Sequence, residues 1–305
     1  MVSKTQISVV VPTCNRPVQL AECLKRVAPK IQGFPDGAYE VIVTDDGRRQ
    51  PVKAFIESEF PWVRWVQGPA RGPSANRNNG ANKSNADWLV FIDDDCLADP
   101  DWLRQFSDSI RSLADDQMIA IQGATIRAEN PPSLLWEAPH DPEAKGRITA
   151  NFAIRRSDYL ALNGLDERYP LHFEDTEFFA RMNAAGGLLI NQPRATVVHP
   201  LRRVPGACTL GNRWKGRVVY ALDQGMSPRS ILWRLPLHVL KVIPTRFRGA
   251  ERSGANVKAA LLFFLEWLQV LAMTPAWTAR FSRRPRSPFW SRHVDQNGPV
   301  PNYGM

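Results

Sequence analysis

The chain has 305 residues, 44% hydrophobic and 23% charged, enough for a full core and incompatible with disorder as its main state. Its 25 Pro and 19 Gly follow no collagen period, and no internal repeat is visible, so fibrous and solenoid architectures are excluded. The net charge of +9 is uneven: residues 1–200 carry 22 basic and 26 acidic side chains, a net of −4, whereas residues 201–305 carry 17 basic and 4 acidic, a net of +13. Such asymmetry marks contact with an anionic surface, either membrane or nucleic acid.

Ile7-Ser8-Val9-Val10-Val11 is too continuously apolar for a half-exposed strand and predicts one buried on both faces of a parallel sheet. Pro17, Leu20, Cys23, Leu24 and Val27 then recur at helical spacing, with Asn15 as the expected cap. Strands are predicted at 40–44, 63–66 and 88–92, with helices at 52–59 and 75–84 between them. This alternation points to a doubly wound α/β sheet. Further on, 101–113 reads as a helix, 119–123 as a strand, and 129–147 as a mobile, Pro-containing loop. Strands at 148–154 and 196–198 flank a helix that begins near Glu174 and ends at Gly186-Gly187.

Beyond Arg202, residues 231–247 are apolar and basic but broken by Pro236 and Pro244. Residues 257–273 predict a strongly apolar helix, although Lys258, Glu266 and Gln269 argue against a bilayer span. The last thirty residues, rich in Arg, read as a loosely ordered basic tail. Cys14, Cys23, Cys96 and Cys208 form no CxxC pair, which fits a reducing compartment. The short apolar run 7–12 lacks a signal-peptide core, so the expected location is cytoplasmic, peripheral on the inner face of the membrane if the basic region binds lipid.

Asp93-Asp94-Asp95 follows the buried strand 88–92, and ligands of open α/β sheets bind outside the carboxyl ends of strands. Adjacent carboxylates repel one another, and Mg²⁺ or Mn²⁺ neutralises them while keeping positions open for substrate phosphates. Asp45-Asp46-Gly47 ends the second strand at the same edge, where it serves either a nucleotide base or ribose or a tight turn. The loop and helix start at 72–80 carry Arg77, suited to phosphate oxygens, but match neither a P-loop nor GxGxxG.

Taken in order, Val9 to Arg16, Asp45-Asp46-Gly47, Arg77-Asn78-Asn79-Gly80, Phe91 to Asp95 and Phe173 to Glu177 resemble the motifs of family 2 glycosyltransferases of the GT-A fold. Gly164 to Arg168 resembles that family's acceptor-side segment. The resemblance covers about residues 6–200. It implies an α/β GT-A architecture, a Rossmann-like mixed sheet, with a C-terminal helical extension. A catalytic domain over 1–200 and a basic, Trp- and Arg-rich extension over 201–305 are the expected organisation.

By the same resemblance, Pro12 and Thr13 border the nucleobase, Asp45 or Asp46 holds the base or ribose, and Arg77 meets the diphosphate of a nucleoside-diphosphate sugar. Asn15, Arg16 and Asp94 belong to the same nucleotide-sugar set, with Asp93 close to the ribose or sugar. Asp95 and His199 are the expected ligands of Mn²⁺ or Mg²⁺. Asp175 corresponds to the catalytic base and Glu174 to the acceptor side, which implies a single displacement with inversion onto an acceptor hydroxyl. Cys14 and Arg48 stand where the family commonly has an aromatic residue and a serine.

The extension has two readings. Residues 231–247 and 257–281 rest on an anionic bilayer, with Trp233, Trp267, Trp277 and Trp290 near the interface and a glycan or lipid-linked acceptor brought to the site. Alternatively the apolar helices pack or dimerise and the arginines are solvated. Two other functions compete with sugar transfer: an aspartyl-phosphate-type phosphohydrolase, which the DxD after an apolar strand superficially fits, and a non-enzymatic binder. No RNP, zinc-finger or helix-turn-helix signature supports nucleic acid as a partner.

Overall fold

In the computed structural model, the described residues are 7–49, 52–113, 117–169, 172–247 and 254–297. In chain order the elements are β1 (Ile7–Thr13), α1 (Pro17–Arg26), α2 (Pro29–Gln32), β2 (Glu40–Asp45), α3 (Lys53–Glu59), β3 (Arg64–Gln67), α4 (Pro73–Lys83) and β4 (Trp88–Ile92). Then come β5 (Leu97–Ala98), α5 (Trp102–Arg111), β6 (Ile119–Arg127), β7 (Trp136–Glu137), β8 (Asn151–Arg155), α6 (Arg156–Ala161), α7 (Glu174–Ala184) and β9 (Leu188–His199). Last are β10 (Arg202–Arg203), α8 (Ala207–Asn212), α9 (Lys215–Asp223), α10 (Pro228–Arg246), α11 (Gly254–Ser282) and α12 (Pro288–Asn297). The chain forms two compact units: Met1–Glu129, Ala138–Arg168 and Glu174–Pro200 in the first, and Asn130–Glu137, Tyr169–Phe173 and Leu201–Met305 in the second.

The first unit is built on an eight-stranded sheet of order β3-β2-β1-β4-β8-β6-β9-β5. β3, β2, β1 and β4 are parallel, β8 is antiparallel to β4 and β6, β9 is parallel to β6, and β5 is antiparallel to β9. This is the Rossmann-like mixed sheet expected from the sequence. β1 is buried at every position, which is why it reads as a continuous apolar run instead of an alternation. Val9, Val11, Val41, Val43, Val90 and Trp102 pack in one core layer, and Val10, Leu89, Phe91, Phe152 and Phe178 in the other. The register sets Phe91 opposite Phe152, and their rings stack at 4.8 Å, a pairing worth about 1 kcal/mol beyond its buried area.

Several local expectations are corrected. Asn15 does not cap α1: Arg16 holds that position, no side chain caps it, and Asn15 turns the chain at φ 55° while accepting a hydrogen bond from Arg49 N. The polar helix α4 begins at Pro73 and buries Ser74, Asn76 and Arg77, and a Cβ at Gly80 would collide with Val10. β8 starts at Asn151, not 148, because Asn151 is a buried connector whose side chain accepts from Trp102 Nε1 and donates to Ala124 O and Ala195 O. The segment 129–147 is not a structureless loop. It contains β7, and Thr125 and Asp141 form a backbone bridge.

In the second unit β7 pairs antiparallel with β10, and Arg213 closes on Glu137 at 2.7 and 3.1 Å. Pro236 and Pro244 do not break α10. The carbonyls they leave without a helical donor belong to Leu232 and Leu240, both exposed residues within reach of solvent. α11 buries Ala259, Phe263, Glu266, Val270, Thr274, Trp277 and Phe281, a stripe at spacings of three or four. The expected loose tail is ordered over α12, where Trp290 is fully buried, while residues 298–305 lie outside the described residues. Trp277 and Trp290 are therefore core residues of this unit, and Trp267 donates to Pro236 O at 3.0 Å, leaving Trp233 as the exposed one of the four.

Candidate active site

Because β1, β2 and β4 run parallel, Thr13, Asp45 and the acids after Ile92 come to the same edge of the sheet. β4 ends at Ile92, and the chain turns at once, with Cys96 N donating to Asp93 O, into the short strand β5. β5 pairs Leu97 with Val198 and Ala98 with Val197, so the residues just before Leu97 and just after Val198 meet. One consequence is a cluster of Asp95, Cys96 and His199 whose ligand atoms all lie within 4.8 Å of one another. His199 Nε2 is 3.5 Å from Asp95 Oδ1, and His199 Nδ1 is 2.8 Å from the carbonyl of Pro200.

That geometry tests whether a cation fits. A carbonyl accepts only from a protonated nitrogen, so Nδ1 carries a hydrogen, and in the neutral ring Nε2 is the nitrogen that offers a lone pair beside the Asp95 carboxylate. In that form the two groups suit a divalent ion between them, and carboxylate with imidazole fits Mn²⁺ better than Mg²⁺, which prefers an all-oxygen shell. Burial, reinforced by Asp93 and Asp95, pushes the Cys96 thiol well above its usual range, so it stands beside the pair as a neutral group.

On the other side of the triplet, Asp93 accepts a short hydrogen bond from Arg77 Nη2. Arg77 is buried at 5% exposure, and its Nε and Nη1 have no partner among the described residues. Two buried guanidinium nitrogens, carrying three N–H groups without acceptors, are costly and mark where an anionic ligand belongs. Glu174 opens α7, is buried, and has no partner for Oε2 among the described residues. Burial, with the Asp175 charge adding and Arg77 opposing, pushes Glu174 up to about 7. Burial also raises Asp175, against the Thr176 N–H that donates to its Oδ1 at 2.7 Å and against Arg77. Arg77, Asp93, Glu174 and Asp175 thus form one charge-coupled group.

The remaining predicted residues are partly engaged in holding the rim. Asp94 turns inward, accepting from Thr13 Oγ1 at 2.6 Å and Arg16 Nη1 at 3.2 Å, and burial pushes it up to about 6. The same Arg16 nitrogen reaches Asp95 Oδ2 at 3.1 Å. Asp45 binds Gly47 N, Val52 N and Trp65 Nε1, and Asp46 binds Ala70 N and Gly72 N. Both therefore shape the loops over the strand ends, and Pro12 lies buried beneath them.

Sequence reasoning missed Asn76 and Asn78. Asn76 ties α4 to Thr13 O and Thr44 O, and Asn78 fixes the 165 segment by pairing with both backbone groups of Leu165. The signal for them was an Asn-rich helix whose small residues, Gly80 and Ala81, leave no room for a solvent layer beneath.

A family model described as glycosyl transferase family 2 matches residues 8–163. The chain is 30% identical over 214 residues to the succinoglycan biosynthesis protein ExoM of Rhizobium meliloti (strain 1021), covering 64% of this chain and 67% of that one. It is 32% identical over 95 residues to the GalNAc(5)-diNAcBac-PP-undecaprenol beta-1,3-glucosyltransferase of Campylobacter jejuni, covering 30% of this chain and 29% of the other. It thus spans about two thirds of the length of the first relative and less than a third of the second. Among solved structures, S. aureus TarS 1–349 superposes with a TM-score of 0.54 at 16% identity over 95% of this chain and 79% of that one. The mannosyltransferase PcManGT of Pyrobaculum calidifontis, in complex with GDP-Man and Mn²⁺, gives 0.52 at 15% identity over 97% and 80%. At these identities the likeness to solved structures is one of fold.

Proposed function

The chain belongs to glycosyl transferase family 2, an enzyme family acting on nucleotide sugars, and from that premise we propose inverting, metal-dependent transfer of a sugar to an acceptor hydroxyl in glycan or glycolipid synthesis. The observation that carries this reading is Arg77, buried between Asp93 and the Glu174–Asp175 pair with two of its nitrogens unsatisfied. A guanidinium so placed donates hydrogen bonds to the oxygens of a departing diphosphate on one flank, while a carboxylate on the other removes a proton.

In the proposed reaction Asp175 takes the proton of the acceptor hydroxyl, and the oxygen attacks the anomeric carbon from the face opposite the diphosphate. Burial makes Asp175 a stronger base than an exposed aspartate, which brings it nearer working pH. Glu174, largely protonated up to about 7, donates a hydrogen bond to the acceptor and orients it. Asp95 and His199 would hold the divalent cation, which would supply charge neutralisation at the leaving diphosphate. Thr13, Asn15, Arg16, Asp45, Asp46 and Asp94 frame the nucleotide side, with Pro12 below the base.

The Mn²⁺ of the mannosyltransferase complex supports the metal assignment. The relatives named for succinoglycan biosynthesis and for an undecaprenol-linked acceptor support a polysaccharide or lipid-linked acceptor, and with it contact between residues 201–305 and an anionic membrane surface on the cytoplasmic side. A thermal-shift panel of UDP-, GDP- and dTDP-sugars with and without Mn²⁺ tests the donor reading. One donor should raise the melting temperature, and more so with metal. The anomeric configuration of the product, read by NMR, then tests inversion, and a retained configuration would refute the single displacement.

A further inference from the structure

An ordinary surface helix turns its apolar stripe inward and its charges outward. α11 is apolar on both sides. While one stripe is buried, Val257, Leu261, Phe264, Leu265, Leu268 and Leu271 face outward, with Val257 71% and Leu261 59% exposed. Between Val257 and Ala279 the charged residues are Lys258 and Glu266, and Glu266 is turned fully inward. The outward positions fall at i, i+4, i+7, i+8, i+11 and i+14, a continuous strip about 20 Å long at the helical rise of about 1.5 Å per residue. α10 adds Leu232, Trp233, Leu237 and Leu240, all exposed. Contiguous apolar surface of this extent marks an interaction site.

We propose that the outward face of α10 and α11 lies flat on an anionic lipid leaflet and anchors the protein there as a peripheral contact. The proposal rests on the membrane contact proposed for residues 201–305, and it names the face that makes it. Charge selects the occupant. The region carries a net of +13, and Arg280, Arg283, Arg284 and Arg286 are exposed where α11 ends, complementary to acidic headgroups. A second copy seated on the same face would set these like charges against each other. α11 passes the length and hydropathy criteria for crossing a membrane. A lone span, however, presents every side to lipid, and here the opposite stripe is packed within its own unit around Glu266, held by Arg246 at 2.5 Å and Trp214 Nε1 at 2.8 Å.

The test is flotation of the full chain with phosphatidylcholine vesicles and with vesicles also containing phosphatidylglycerol, across a salt series. Wild type should float with the anionic vesicles, bind more weakly as salt rises, and be released by alkaline carbonate. Leu265→Glu/Leu268→Glu should lower partitioning roughly tenfold or more, since two apolar contacts become charged ones. Its melting temperature and its donor-induced thermal shift should stay unchanged. Leu261→Glu, at a still more exposed position, serves as a second variant. Arg283→Gln/Arg284→Gln should reduce the preference for anionic over neutral vesicles several-fold.

Wild-type flotation with no loss in the leucine variants would overturn the assignment of this face while leaving membrane contact standing. No flotation at all would overturn both. Resistance to carbonate would mean a span, and a dimer by light scattering that dissociates in Leu265→Glu/Leu268→Glu would mean that a second copy covers the strip. Either result defeats the proposal, and the donor thermal shift reports on the transfer chemistry independently of all of them.

Discussion

Arg246 on α10 grips the fully buried Glu266 of α11 through two nitrogens, at 2.5 and 3.2 Å, and Trp214 Nε1 adds a third donor at 2.8 Å. Arg246 keeps partial contact with solvent, whereas Glu266 has none, so the two partners are not equivalent. Arg246→Ala strands a buried carboxylate and should destabilise the second unit by about 3–5 kcal/mol. Replacing both by leucine should recover most of that loss, because no charge is then left uncompensated. Urea denaturation of the two variants checks this, and equal losses would refute it.

Asp95→Asn and His199→Ala each remove one of the two donors assigned to the cation. The Mn²⁺ concentration needed for half-maximal donor-dependent thermal shift should rise by about tenfold to a hundredfold or more in both variants. Isothermal titration with Mn²⁺ and nucleotide checks it. An unchanged requirement in His199→Ala would leave His199 a structural strand-end residue.

Asp175→Asn should lower kcat by about 10²- to 10⁴-fold with donor binding retained, as expected for loss of a general base. Arg77→Lys keeps the charge but loses the fork, and should lower kcat by about 10² or more. Steady-state kinetics with a soluble acceptor analogue separates the two. A large rise in donor KM in Asp175→Asn would move that residue to the donor side.

Glu174 titrates at about 7 in the folded protein against 4.5 as a free side chain. Between those values the folded state keeps a proton that the unfolded chain has released, so stability falls as pH rises through the window, by at most about 3 kcal/mol. Glu174→Gln removes this dependence. The variant should melt at the same temperature as wild type near pH 4 and higher than wild type near pH 8. An inflection near pH 7 in kcat/KM, present in wild type and absent in the glutamine variant, would tie the same proton to catalysis.

β1, β2 and β4 were legible because strands buried on both faces read as unbroken apolar runs, whereas β3 is half-exposed at the sheet edge. The later strands were harder to bound because buried polar connectors interrupt the pattern. Gln122 and Asn151 look like surface residues in a sequence but satisfy backbone groups deep in the sheet. Pro236 and Pro244 read as helix breaks because sequence does not show that the residues whose carbonyls they release, Leu232 and Leu240, are exposed. At the site, the acids at strand ends were visible from topology alone. The approach of Cys96 to His199 was not, because it depends on the antiparallel register of β5 with β9, set by residues a hundred positions apart.

That register also makes the proposed cation pair depend on the last strand of the large sheet. β9 is the last strand of the large sheet to leave the ribosome, and it carries His199 at its final position. Until it docks between β6 and β5, a nascent chain displays clustered acids with no imidazole opposite them, and its sheet ends on open strand edges. Pairings so distant in sequence form slowly and leave such edges available for misassembly. The proposed cation pair is therefore complete only once β9 has docked, and until then the edges of β6 and β5 are open to pairing with other chains.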